Sequence, residues 1–324
     1  MRTSGDLRYP NAIWFTHMPC LFILDNPSCD ALEVSITANG ITHTVEHDTF
    51  SGCACVDMRE YVQGLFVTFG TPSYGSRNKS GYAQVMTYNV RTRTGGTYTS
   101  VLSNANTMFV WGYLEPDETW NGRRTYTWFR GYPFFVDVYA SASQTCTISG
   151  GGTSQSVTLG SKGLWHVPLS ASAFAAASVV TLSCGGMTYT INADDCGEGV
   201  YLRWLDRHGR ICHYLFRSGA DRREIEADDG YFRPNLSAWD DSGWSGWNGH
   251  REQKTRSKRL TIGAALVDSD TYEMLCDLAS SPMVEMMRFD EDWMAVRIDD
   301  GNWQKSKAAL QEFECTIIFD EVTE

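Results

Sequence analysis

The sequence predicts a mainly β, multi-domain protein of β-sandwich-like modules, with a few short helices and an α+β C-terminal part. Three observations carry this. Aromatic residues make up 13% of the 324 residues, with eleven Trp, and such side chains suit pleated, half-buried surfaces. Short runs alternate apolar and polar residues with period two, and Gly, Asn and Pro clusters separate them. Helical spacing is sustained in few places, the clearest being the stretch from Asp268 to Ser280.

Length and charge divide the chain. At roughly 100–200 residues per domain, two or three domains are expected. Residues 1–200 hold 11 Lys+Arg and 15 Asp+Glu, whereas 201–324 hold 16 and 24, so the composition changes near residue 200. The expected domains are 1–127, a second β domain at 128–199, and an α+β domain at 200–324 with a Trp/Gly-rich loop at 228–250.

In the first segment, Ala12–Phe15 and Cys20–Leu24 are apolar runs. Leu32–Thr37 alternates, Asn39-Gly40 supplies a turn that tolerates positive φ, and Ile41–Val45 returns as the partner strand. A strand at Cys53–Val56 and a helical piece at Asp57–Leu65, capped by Asp57, follow. Residues 71–80 read as a loop, and Ala83–Arg91 and Met108–Tyr113 as strands, with Thr94-Gly95-Gly96-Thr97 between them.

The second segment looks like the first again. Pro133–Val138 parallels Pro19–Leu24, and the turn Gly150-Gly151-Gly152 stands where Asn39-Gly40 stood. Gly40 to Gly52 spans twelve residues, as does Gly151 to Gly163, giving an offset of 111. This points to a partial duplication. Chance likeness between two β-rich stretches is the alternative.

In the third segment, Val200–Leu205 and Ile211–Phe216 form a hairpin around Arg207–Arg210. Arg259–Ala264 is a strand, and Asp268 or Ser269 caps a helix that Ser281-Pro282 ends. Strands at Met283–Phe289, Trp293–Ile298 and Leu310–Phe319 complete the chain, the last with Phe313, Cys315, Ile317 and Phe319 on one face.

The search for chemistry yields no catalytic, cofactor-binding or metal residues. No GxSxG, P-loop, HExxH or GxGxxG occurs. His43 and His47 share a strand face but lie too far apart for one ion without a third ligand. The pairs Asp194-Asp195, Asp228-Asp229, Asp240-Asp241 and Asp299-Asp300 suit solvated turns. The ten Cys are scattered without a CxxC, which reads as reduced, mostly buried thiols, with a disulfide framework as the alternative. A net charge of −12 disfavours nucleic acid, and no run reaches the ~20 apolar residues of a membrane span. No apolar signal core follows Met1, so cytoplasmic synthesis is expected.

Two features read as contact surfaces. Trp239, Trp244 and Trp247, spaced by small residues, suit stacking on sugar rings or anchoring a neighbouring subunit. Arg251, Lys254, Arg256, Lys258 and Arg259 form a basic cluster in an acidic chain, suited to guarding a strand edge or docking on an acidic partner.

The run Tyr201-Leu-Arg-Trp204-Leu-Asp-Arg-His-Gly209, the approach to Leu260-Thr-Ile-Gly263, the helix Tyr272-Glu-Met-Leu275, Leu278–Pro282, the Trp293 strand and the closing Leu310-Gln-Glu-Phe313-Glu carry a resemblance. They resemble a tail-associated structural protein, of baseplate or distal-tail type, from phages and prophages of Bacteroides-type bacteria. The resemblance covers the last ~120 residues and implies a virion structural role with no catalytic residues. It implies partners that are copies of the chain in a ring and other tail or baseplate proteins. It places the chain in the phage tail, assembled in the bacterial cytoplasm. A carbohydrate-binding or adhesive, receptor-binding module that contacts a host surface glycan is the other reading.

Overall fold

A computed structural model describes the chain except residues 5, 11, 26, 67–71, 117, 119, 121–122, 196, 228–230, 233–249, 252–253, 289–291, 300, 302, 304–307, 320–321 and 324. For residues 2–4, 224–227, 231–232, 250–251, 254–257 and 322–323 it describes the backbone alone. The chain is a multi-domain, mainly β protein with two helices among the described residues. One compact unit comprises 1–197 and 205–212, and a second comprises 198–204 and 213–324.

Unit one contains two sandwiches in sequence. The first spans β1 (Arg2–Ser4), β2 (Leu7–Tyr9), β3 (Ile13–Phe15), β4 (Leu21–Asp25), β5 (Ala31–Ala38), β6 (Ile41–Asp48), β7 (Cys53–Asp57), α1 (Arg59–Gly64), β8 (Asn78–Lys79), β9 (Ala83–Thr94) and β10 (Thr97–Val110). One sheet runs β1-β2-β4-β7 and the other β3-β10-β9-β5-β6. Their inner faces share a core of Leu7, Phe22, Val34, Ile36, Val56 and Tyr88. The turn between β5 and β6 uses Asn39 and Gly40 at φ 52° and 78°, as a two-residue hairpin loop requires. Asp57 precedes α1, and its Oδ1 accepts from the backbone N–H groups of Cys20 (3.0 Å) and Arg59 (2.9 Å). β10 is longer than the sequence suggests. Its first four residues, Thr97 to Ser100, are exposed and its register shifts between Ser100 and Ala105, so it lacks the alternation that marks a half-buried strand.

The second sandwich uses β11 (Thr125–Phe129), β12 (Phe135–Ala140), β13 (Gln144–Gly150), β14 (Thr153–Leu159), β15 (Gly163–Pro168), β16 (Val179–Cys184) and β17 (Met187–Asp194). Its larger sheet runs β11-β17-β16-β13-β14. This is the order of the first sandwich strand for strand, down to the parallel pairing of the opening strand with the last one. Its smaller sheet, β12-β15-β8, takes in β8, which precedes β9 in the chain and belongs to neither sheet of the first sandwich. Phe15, Met108 and Val110 of the first sandwich pack with Leu164 of the second, so the two share a small core.

Unit two carries the hairpin strands β18 (Val200–Leu205) and β19 (Ile211–Ala227), except for Leu205, Ile211 and Cys212, which belong to unit one, then β20 (Tyr231–Phe232), β21 (His250–Arg251), β22 (Lys254–Val267), α2 (Ser269–Ser280), β23 (Val284–Met287), β24 (Trp293–Ala295), β25 (Arg297–Ile298), β26 (Gln311–Ile318) and β27 (Val322–Thr323). The main sheet runs β24-β23-β18-β19-β22-β26-β25. Asp268 Oδ1 caps α2 by accepting from Thr271 N–H at 2.7 Å, and Tyr272, Leu275 and Leu278 form its buried face. In β26, Phe313, Cys315 and Ile317 point inward. Arg203 is fully buried; its Nε donates to Glu285 Oε2 at 2.6 Å, and its guanidinium lies 4.0 Å from the centre of the Trp293 ring.

One sequence expectation is overturned. Cys146 and Cys184 are joined in a disulfide rather than standing as thiols. They lie on β13 and β16, whose register pairs Thr147 with Ser183 and so sets the two Cys opposite each other. A separation of 38 residues hides that pairing from a linear reading.

Candidate functional site

The residues expected to contact partners fall in unit two. Trp239, Trp244 and Trp247 lie outside the described residues. Arg251 is in β21, and Lys254 and Arg256 are in β22, where the backbone alone is described. Lys258 and Arg259 are also in β22, between β19 and β26, so this strand is internal to the sheet rather than an edge needing charged protection. Lys258 Nζ lies 3.3 Å from Asp221 and 5.2 Å from the centre of the Phe319 ring. Arg259 Nη1 pairs with Asp299 at 2.5 Å. The ladder sets Arg223 opposite Lys258 and Arg222 opposite Arg259, so the cations meet further cations across β19, and Asp221 reaches Lys258 from the diagonal position. The acidic partners Asp221 and Asp299 are distant in the chain, so a linear reading sees the cations without them.

A second polar centre, unmarked in the sequence, is buried in unit one. Asp137 on β12 and His166 on β15 are register partners, and each is 2% exposed. His166 Nδ1 hydrogen-bonds Asp137 Oδ1. An ionised carboxylate can only accept, so Nδ1 carries the proton. The other oxygen, Oδ2, accepts from the Ile211 N–H at 2.7 Å. The Phe135 ring closes over the imidazole at 4.5 Å between centroids.

Next to it, residues 206–210 form a tight loop. Asp206 Oδ1 accepts from the N–H groups of His208 (2.9 Å) and Arg210 (2.8 Å), which suits Asp in a turn. Gly209 sits at φ 71°. Burial raises the Asp206 pKa, against the lowering influence of His208 and Arg210. The Arg210 side chain is 4% exposed and lies 4.6 Å from the centre of the Trp120 ring; its Nε and Nη1 find no hydrogen-bond partner among the described residues. Glu118 stands 3.2 Å from Arg207, and 2.9 Å from His208 Nε2, the latter off the line of a hydrogen bond. Against its partial burial, the Glu115 N–H, His208 and Arg207 hold the Glu118 carboxyl low.

This centre has acid, base and thiol groups, including Cys212 Sγ 3.7 Å from Asp206 Oδ2. General acid–base work needs a proton within reach of a substrate. Asp137, His166 and Cys212 are each under 5% exposed, and the polar atoms of the first two point at one another. The arrangement suits fastening: one carboxylate ties β12 to β15 and to the backbone of Ile211, in the 205–212 segment of the same unit. Among the described residues, no group of three or more His, Cys, Asp or Glu is placed to hold a metal ion. His43 and His47 turn to separate partners, the Tyr61 ring and the Cys55 carbonyl.

The two larger sheets of unit one differ on their outer faces. On the first, Arg91 pairs with Glu33, and Arg93 with Glu46 and Asp48. On the second, register aligns Ser154, Ser149, Thr181, Thr190 and Thr125 in one row, and Ser156, Thr147, Ser183 and Thr188 in the next. The strands β13, β14 and β16 contain no charged residue. Both sheets end on an edge strand, β6 in the first and β14 in the second.

Among the described residues, no helix is long and apolar enough to cross a membrane. No protein-family model matches the chain, and no curated protein matches it. Among solved structures, one of a 1.5-MDa bacterial ice-binding adhesin, described for its retention at the host cell surface, aligns over 94% of this chain and 91% of that one. Identity is 12% and the TM-score 0.18, a score from which nothing about this chain follows.

Proposed function

We propose that the chain is a structural subunit of a phage or phage-like tail or baseplate, working by protein–protein assembly rather than catalysis. The observation that supports assembly best is the pair of like sandwiches whose larger sheets end on long edge strands, β6 and β14. Open edges with unpaired backbone groups are a liability in a free monomer and useful in a multimer. The tail setting rests on the resemblance of residues 200–324. The buried polar centre of unit one acts in this reading as a fastener.

Immunogold labelling tests the setting. An antibody to this chain should decorate the tails of particles released from a host that carries the gene. Particles free of the chain refute the tail reading. Trp244→Ala together with Trp247→Ala tests the contacts: the double variant is expected to assemble more weakly. A strict monomer that loses glycan binding with that change would instead establish the adhesive module and sink the assembly reading.

A further inference from the structure

We infer that β14 is a self-complementary edge through which two copies of this chain join in an antiparallel, two-fold strand pair. The inference rests on the assembly reading and goes beyond it by naming the seam.

Backbone geometry comes first. Gly151 and Gly152, at φ 55° and 80°, close a two-residue loop between Gly150 and Thr153. That makes Gly150↔Thr153 a hydrogen-bonded pair, and the pairs then alternate along the hairpin. The N–H and C=O groups of Ser154, Ser156 and Thr158 therefore point away from β13, off the end of the sheet. No strand among the described residues lies on that side.

The usual protections are missing. Natural edges carry charges, Pro or bulges that discourage pairing. β14 reads Thr-Ser-Gln-Ser-Val-Thr-Leu, without charge or Pro, and its register with β13 runs without a shift. The matching edge of the first sandwich, β6, carries Glu46 and Asp48. Self-pairing there would set both acids from each copy, which share the single cation Arg93, along one seam in a chain whose net charge is −12. β14 meets no such repulsion, which argues for a second copy as its occupant.

The register is close to palindromic. Centred on Ser156, an antiparallel pair sets Ser156 against its own symmetry mate and Ser154 against Thr158. The outward backbone groups then supply about six hydrogen bonds. Ser154, Ser156 and Thr158 are exposed, whereas Val157 and Leu159 pack against the core. The hydroxyl rows of the outer face would run on across the seam, and beneath it Val157 and Leu159 would face Gln155 and Thr153 of the second copy. Such a contact is isologous, so it uses up both edges and closes at a dimer.

Sedimentation equilibrium of the full chain over a wide concentration range tests this. The wild type is expected to dimerise. Ser156→Lys sets two like charges together at the two-fold axis and should weaken the dimer by at least about tenfold, with circular dichroism and melting temperature unchanged. Ser156→Pro, which removes an outward N–H, should do the same where an edge strand tolerates it. Thr44→Lys, at an outward position of β6, should leave the dimer intact. An oligomer indifferent to both Ser156 changes overturns the β14 seam and leaves the assembly reading standing. A wild type that stays monomeric throughout overturns the seam and counts against assembly as well.

Discussion

Removing the Asp137 carboxylate should destabilise unit one more than any surface substitution. Asp137 is 2% exposed and accepts from His166 Nδ1 and from the Ile211 N–H at 2.7 Å. Hydrogen bonds to a charged group are worth about 1.5–3 kcal/mol each. Asp137→Ala removes both and leaves the Ile211 N–H buried without an acceptor. Leaving that buried donor unsatisfied adds about 1–3 kcal/mol, so a total loss of about 3–5 kcal/mol is expected. At about 2–4 °C per kcal/mol for a unit of this size, the melting temperature should fall by roughly 10 °C. Asp137→Asn keeps the shape and one acceptor oxygen, so it should cost about half as much. Differential scanning calorimetry on the full-length variants measures both, with near-ultraviolet circular dichroism reporting native packing. A fall of less than about 3 °C for Asp137→Ala would show that the node fastens nothing, and the reasoning would fail.

Other expectations concern the same unit. The Asp206 pKa is raised by burial, so the folded chain binds that proton more tightly than the unfolded chain does. Stability due to this group is thus fully present below its unfolded value near 3.9 and is lost as pH rises through the raised folded value. Compared with Asp206→Asn, whose residue 206 cannot titrate, the wild type should lose stability over that rise; parallel pH profiles of the two would contradict it. Reducing Cys146–Cys184, which closes a 38-residue separation, should cost about 3–4 kcal/mol. A thiol titration that finds every cysteine free in unreduced protein would remove the basis for that. At Gly209 a Cβ would stand 2.2 Å from Val110 Cγ1, at a φ of 71°, so Gly209→Ala should cost more than about 2 kcal/mol by urea titration.

The sequence by itself determined the β class, the hairpin at Asn39-Gly40, the capped helix after Asp268 and the inward face of Phe313, Cys315 and Ile317. Each is written in neighbouring residues, by period or by turn chemistry. The repeat spacing between Gly40–Gly52 and Gly151–Gly163 was also legible, because like strands need like lengths. The tertiary structure alone decided the rest. It set Asp137 beside His166, Cys146 opposite Cys184, and Asp221 beside Lys258, since strand register joins residues that lie far apart in the chain. The same register made Lys258 and Arg259 part of an internal strand rather than a guarded edge. It also left β14 as an uncharged edge. Alternation reveals which residues face the core, while position within the sheet decides whether a strand's backbone groups are paired.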